Sequence, residues 1–165
     1  MTFYSRKMNG MDAAKILLWR YEAPYDFYNM VISDDTMSEL LDGSYYAVYS
    51  GDDRLFGFYC KGNSAQVPAG HASGAYLDAC LDIGLGMKPN MTGSGRGSSF
   101  FSFILDSLDE EEEGQASFRL TVATFNKRAM ALYTKLGFEK KINFEQKGVE
   151  FVTMVKSTLD SRVYR

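Results

Sequence analysis

The sequence predicts a single α/β domain, and three observations carry that expectation. The chain has 165 residues, of which 45% are hydrophobic and 15% aromatic, enough to fill one core and too few for two ordinary domains. Short aromatic and β-branched runs are interleaved with segments whose apolar residues recur every three or four positions, so strands and helices both contribute. Turn residues such as Gly51-Asp52-Asp53, Lys88-Pro89-Asn90 and Lys147-Gly148 separate these segments.

The first helix is signalled by Asn9, a residue whose side chain can cap the free backbone N–H groups, and by Asp12 near the positive end of the helix dipole. Ala13, Ile16, Leu17 and Arg20 continue the helical spacing to about Tyr21, and Pro24 stops it because the residue before a proline is pushed out of the helical region. A second short helix is expected around Asp35 to Leu41. Ser44 to Ser50 and Leu55 to Lys61 read as a hairpin, and Gly62 to Ala75, which lacks periodicity, as a loop. Tyr76 to Met87 is a long apolar run with Gly84 and Gly86 inside it, which predicts a central strand with a bulge or kink.

Phe100, Phe101, Ile104, Leu105 and Leu108 then place one buried face on a helix from Ser98 to Leu108. The acid run Glu110 to Glu113 opposes the dipole at that helix's end, so it is expected to fray or lie in a solvated loop, with an acidic partner-binding patch as the other option. Phe118 to Ala123 is a strand, Asn126 to Leu136 a helix closed by Gly137, and Phe138 to Phe144 with Val149 to Val155 a final hairpin.

Composition excludes several classes of function. A formal net charge of -3 argues against nucleic acid as the main partner, although a local basic patch around Arg96 is compatible with it. No apolar run approaches a membrane span and Met1 to Lys15 has no signal-peptide core, so a cytoplasmic setting is the expectation. Cys60 and Cys80 lie in apolar runs, form no CxxC and read as small buried hydrophobes. The one histidine, His71, has no cysteine or carboxylate cluster beside it, so neither a metal site nor a nucleophilic pair is expected.

Between the central strand and the following helix lies Thr92-Gly93-Ser94-Gly95-Arg96-Gly97-Ser98. Glycines let successive backbone N–H groups converge on an anion, and the helix N-terminus adds its own free N–H groups. The other reading is a turn that only connects two elements. A P-loop would need GxxxxGK, and no lysine stands at that position; a dinucleotide fingerprint would need glycine where Phe100 stands.

Leu85 to Ser98, in order, resembles the acetyl-CoA motif of the GNAT superfamily of N-acetyltransferases. Val122 to Phe138, with Asn126, Tyr133 and Gly137-Phe138, resembles that family's second block. The resemblance is close from Tyr76 to Phe144 and rests on element order elsewhere. It implies a mixed, mostly antiparallel twisted sheet flanked by helices on both faces, with acetyl-CoA as co-substrate. Leu85 and Met87 would bond the pantetheine arm, and the Met87 N–H would polarise the thioester carbonyl, where one such donor is worth about 3 kcal/mol. Thr92, Gly93, Ser94, Gly95, Arg96, Gly97 and Ser98 would hold the pyrophosphate; Thr92 departs from the family's usual Arg or Gln, and Arg96 supplies a cation.

Asn126 and Ala129 match cofactor-contacting positions, and Tyr133 matches the general acid that protonates the departing thiolate, although its spacing alone suits a core residue equally. Asp82 falls where related enzymes place a strand carboxylate as base; a purely structural role is the other option. For the acceptor site the implied elements are Tyr21 to Tyr28, Gly62 to Ala75 and the last hairpin. Tyr25, Phe27 and Tyr28 would be pocket walls or packing residues, and Glu22 or Asp26 would attract a cationic amine. The implied reaction is acetyl transfer to a primary amine of a small molecule or protein, in a chain that is monomeric or homodimeric. A non-catalytic acyl-CoA sensor on the same fold is the alternative, and transfer of a longer acyl chain or to a hydroxyl is a third.

Overall fold

The computed structural model describes residues 2–92, 95–114 and 117–157. Its elements follow the order β1 (Phe3–Lys7), α1 (Gly10–Leu17), α2 (Asp34–Leu40), β2 (Tyr45–Ser50), β3 (Leu55–Lys61), β4 (Leu81–Met87), α3 (Gly97–Glu111), β5 (Ser117–Ala123), α4 (Lys127–Lys135), β6 (Glu139–Gln146) and β7 (Val149–Ser157). The strands form a seven-stranded sheet in the order β1-β2-β3-β4-β5-β7-β6, so the expected α/β class with a mostly antiparallel sheet is what the chain adopts. It divides into two compact units, Met1–Cys60 with Leu85–Phe103, and Lys61–Gly84 with Ile104–Arg165.

In the first unit β1 pairs antiparallel with β2, and β2 with β3. The Asn9 side chain accepts from the Asp12 N–H at 2.9 Å, so the capping signal in the sequence is realised. The helix it starts ends earlier than its spacing suggests, at Leu17, where the Arg20 guanidinium turns back onto the Leu17 carbonyl at 2.9 Å. Asp12 is fully buried, accepts a short hydrogen bond from the Tyr49 hydroxyl and pairs with Arg6 at 3.3 Å, fastening α1 to the first two strands. Strand β1 is absent from the sequence reading, since Phe3–Lys7 has no apolar alternation of its own; pairing with β2 and the Phe3 ring, 4.9 Å from that of Phe56, make it a strand.

Glycines 57 and 86 permit close packing between elements in this unit. A Cβ on Gly57 would lie 2.5 Å from the Gly86 carbonyl oxygen and 2.6 Å from the Phe100 ring, and one on Gly86 would lie 2.5 Å from the Phe58 ring. The ring of Phe58 occupies the space beside Gly86.

In the second unit β4 pairs with β5 in parallel, while β5 pairs with β7 and β7 with β6 antiparallel. Its core includes Phe118, Leu120, Phe138, Phe144, Phe151 and Met154, all buried. The last hairpin closes through Lys147 and Gly148, with φ of 50° and 80°, the left-handed pair that matches strand twist. The expected strand from Tyr76 is shorter than its apolar run: β4 begins at Leu81 because the Tyr76 hydroxyl is drawn to Thr121 Oγ1 and the Val67 N–H, both at 2.8 Å. The acid run is helical as far as Glu111, with Lys61 Nζ 3.5 Å from Glu111 and 2.7 Å from Glu112, a countercharge that offsets the opposed dipole. Cys60 is buried in β3 and Cys80 is half-buried just before β4.

Candidate active site

The parallel ladder between β4 and β5 covers Leu81, Asp82 and Ile83 against Phe118, Arg119 and Leu120 and goes no further, although β4 runs on to Met87. That final stretch, Leu85 to Met87, leads directly to the glycine loop. The Lys88 N–H donates to the Phe56 carbonyl at 2.8 Å, and Pro89–Met91 forms one short turn. Thr92 has a local task there, since its hydroxyl donates to the Pro89 carbonyl at 2.8 Å and secures the turn that opens the loop. A longer Arg or Gln at this position would not close the turn in this way.

Gly93 and Ser94 lie outside the described residues. Gly95 has φ +77°, a left-handed conformation that favours glycine, with open space where a Cβ would stand. Arg96 is exposed, with Nη1 2.9 Å from the Met91 sulfur, and its carbonyl accepts from the Phe100 N–H at 3.0 Å as the first bond of the helix. Gly97 and Ser98 are therefore in the first turn of α3, whose N–H groups have no intrahelical acceptor. Phe100 and Phe101, both fully buried, anchor that turn. A loop with these glycines, an adjoining cation and a fixed fifteen-residue helix behind it suits a pyrophosphate.

Tyr21 was not singled out by the sequence beyond belonging to an aromatic cluster, yet its hydroxyl donates to the Met87 carbonyl at 2.5 Å. Burial pushes its phenol up to about 12, so it remains a donor through the neutral range. Tyr25, Phe27 and Tyr28 share one 3-10 turn, Tyr25–Tyr28, a few residues on. Phe27 and Tyr28 are exposed, with ring centroids 5.1 Å apart, so they are not core residues of the unit. Glu22 and Asp26 are exposed on the same segment.

In the second unit Asp82 is buried and fully engaged. Arg119 Nε donates to Oδ1 at 2.7 Å and Nη2 to Oδ2 at 2.8 Å, while Gln66 Nε2 donates to Oδ2 at 2.8 Å. The two residues face each other directly in the parallel ladder. Donating to the Asp82 carboxylate raises Arg119 above its ordinary value and keeps it charged, and its guanidinium also reaches the Asp78 carbonyl at 3.1 Å and lies over the Tyr76 ring. Of the two roles expected of Asp82, strand carboxylate acting as base or structural partner, these contacts supply the structural one. His71 is exposed with its ring beside Tyr76, and no group of three or more metal-ligating side chains occurs among the described residues.

Asn126 caps α4, accepting from the Ala129 N–H at 3.1 Å through Oδ1. Tyr133 is buried on that helix, its ring 6.3 Å from that of Phe138, and its carbonyl accepts from the Phe138 N–H at 3.0 Å as the chain leaves the helix through left-handed Gly137. Ala129 is half-buried between them in sequence.

Residues 15–138 match the sequence profile of the acetyltransferase (GNAT) family, and the chain belongs to that family. Acetyl transfer is thus its class of activity. The fold resembles a chimera of spermidine N-acetyltransferase SpeG from Vibrio cholerae and hSSAT, 17% identical with a TM-score of 0.73 and 99% of each chain covered. It also resembles AAC(6')-Ib in complex with ribostamycin and coenzyme A, at 15% identity, TM-score 0.74 and coverage of 100% of this chain and 98% of that one. A GNAT-family acetyltransferase from Bacillus anthracis is 13% identical, with a TM-score of 0.70 and 94% of each chain covered. No curated protein matches the sequence. No helix among the described residues is long and apolar enough to cross a membrane.

Proposed function

We propose that this chain transfers an acetyl group from acetyl-CoA directly to a primary amine of a small cationic molecule, acting as one catalytic domain in the cytoplasm. The observation that carries the reading is β4, which continues to Met87 after its ladder with β5 has stopped at Ile83 and delivers the chain straight into the Gly95-Arg96-Gly97 loop. The residues present fit the co-substrate: the loop is unobstructed at Gly95, and α3 offers its first-turn N–H groups.

Acetyl-CoA supplies a thioester whose carbonyl carbon is attacked by the neutral amine; the new C–N bond replaces the C–S bond, the nitrogen's proton passes to solvent, and the sulfur departs as a thiolate. The Met87 N–H polarises the carbonyl oxygen, and the backbone at Leu85 and Met87 aligns the pantetheine arm like an added strand. Gly93 to Ser98 hold the pyrophosphate with Arg96 as counter-charge, and Asn126 and Ala129 contribute from the start of α4. Tyr133 protonates the departing sulfur through its phenolic O–H. Asp82 is assigned to architecture, with Arg119 and Gln66 as its partners.

Acceptor choice follows from the Tyr21 to Tyr28 segment, where half-buried Tyr25 and exposed Phe27 and Tyr28 offer apolar walls and Glu22 and Asp26 an acidic field. The net charge of -3 favours a basic acceptor as well. One fold neighbour is named as a spermidine N-acetyltransferase and another is in complex with ribostamycin; both compounds are small molecules with several amines, which supports the same class over a protein acceptor.

The experiment is thiol release from acetyl-CoA against polyamines, aminoglycosides, free lysine and basic peptides, with CoA affinity by calorimetry. Thiol release with a small polyamine supports the proposal. Tight CoA binding with no release across the panel would replace it with the sensor reading, and release with peptides alone would move the acceptor to proteins.

A further inference from the structure

The segment between α1 and α2 contains the proposed acceptor walls but almost no core of its own. No residue from Leu18 to Ser33 is buried, and Leu18, Val31 and Ile32 are 66%, 74% and 58% exposed. It is placed by half-buried contacts, such as the Trp19 ring 6.1 Å from that of Phe58, together with hydrogen bonds. Tyr21 stands where two of them meet. Its hydroxyl donates to the Met87 carbonyl at 2.5 Å, and its backbone N–H donates to Asn29 Oδ1 at 2.8 Å. Asn29 in turn donates its N–H to the Asp26 carbonyl at 3.0 Å, closing the turn that carries Tyr25, Phe27 and Tyr28.

The receiving end is equally constrained. The peptide joining Met87 to Lys88 is held at both polar groups: its carbonyl by Tyr21, and its N–H by the Phe56 carbonyl at 2.8 Å. Phe56 belongs to the interior of its strand, fully buried, so one side of this clamp is rigid. Tyr21 is the side that comes from the exposed segment.

We propose that Tyr21 is a positioning residue that ties the amine-binding segment to the strand end holding the thioester, so that occupation of either site biases the other. The inference rests on the functional reading above, which places the thioester at Met87 and the amine beside Tyr25 to Tyr28. Coupling of this kind is reciprocal in binding free energy, so CoA must tighten amine binding by the same factor by which the amine tightens CoA binding. Partial burial raises this phenol to about 12, so it stays protonated and the tie holds through the neutral range.

The test uses the full-length protein and its Tyr21→Phe and Asn29→Ala variants, which cut the tie at its two ends. Amide hydrogen exchange over residues 21–29, the amine KM and the amine affinity with and without CoA are measured, with spermidine as the probe amine and CoA affinity by calorimetry. Loss of one neutral hydrogen bond corresponds to about fivefold in an equilibrium. The amine KM should rise about fivefold in each variant, exchange over 21–29 should quicken by a similar factor, and the CoA-dependent gain in amine affinity should fall towards unity. CoA affinity without amine should stay within about twofold.

Unchanged exchange and unchanged coupling in both variants would overturn the proposal, as would a loss confined to CoA affinity. Should Tyr21→Phe not fold, Asn29→Ala decides the question alone, since Asn29 is half-buried and outside any core. A wild-type protein that neither binds CoA nor releases thiol would instead overturn the functional reading, and is told apart because the unmodified chain is the silent one.

Discussion

Replacing Asp82 by asparagine separates a structural from a chemical role for this carboxylate. The side chains of Asp82 and Arg119 are 5% and 3% exposed, and their fork is bidentate at 2.7 and 2.8 Å. The Asp82→Asn variant would keep the volume but face Arg119 with one amide N–H₂, leaving a buried guanidinium without its countercharge. Breaking one side of such a pair costs about 3–5 kcal/mol, and in a chain of this size each kcal/mol shifts Tm by about 2–4 °C, so the variant should melt roughly 6–20 °C lower. Urea denaturation and thermal melts give the loss, and acetyl transfer per folded molecule gives the chemistry. The expected result is lost stability with the acid limb of the pH–rate profile intact, and recovery of most of the stability in Asp82→Leu/Arg119→Met, where both charges are gone. Unchanged stability with turnover reduced about a hundredfold or more and the acid limb abolished would refute the assignment and restore Asp82 as the base.

Three further outcomes are expected. Tyr133→Phe should lower kcat by about a hundredfold or more while calorimetric CoA affinity is unchanged; an unaffected rate removes it from the mechanism. Gly57→Ala should destabilise by about 1–3 kcal/mol in urea, because its Cβ meets the Gly86 carbonyl at 2.5 Å, and Gly86→Ala should cost less when combined with Phe58→Leu; wild-type stability in Gly57→Ala would contradict the close approach. At alkaline pH the sign follows from Tyr21, whose phenol rises from 10.0 to about 12 on folding through burial, so the neutral form stabilises the fold. That contribution, at most about 3 kcal/mol, is complete below pH 10 and is lost as pH rises through 12. Tyr21→Phe should accordingly show a shallower decline in urea midpoint between those values, and an equal slope would count against the buried phenol.

Much of the fold was legible because its signals are local. Asn9 and Asn126 each cap a helix within three residues, Gly137 leaves one in the left-handed region, and Lys147-Gly148 forms the turn its two positive φ angles demand. These depend on neighbours in sequence, so composition and spacing reveal them. The misreadings involve distant partners. Strand β1 exists through β2, tens of positions away, and β4 starts late because Tyr76 is held by Thr121 and Val67. Thr92 was irregular only against the family pattern; its hydroxyl on Pro89 is a local reason that spacing does not display.

The same division runs through the site. The order of residues determined that a glycine-rich loop precedes a helix, that a second block with Asn126 and Tyr133 follows, and hence the acetyltransferase family. Tertiary structure decided what the sequence left open or concealed: that Asp82 is locked to Arg119 across the ladder, and that Tyr21 rests on Met87. Both are side-chain contacts across tens of residues, 37 in the first case and 66 in the second. The physical reason is that a periodic pattern records which face of an element is buried, whereas a hydrogen-bond partner is chosen by whichever strand or loop the completed chain lays beside that face.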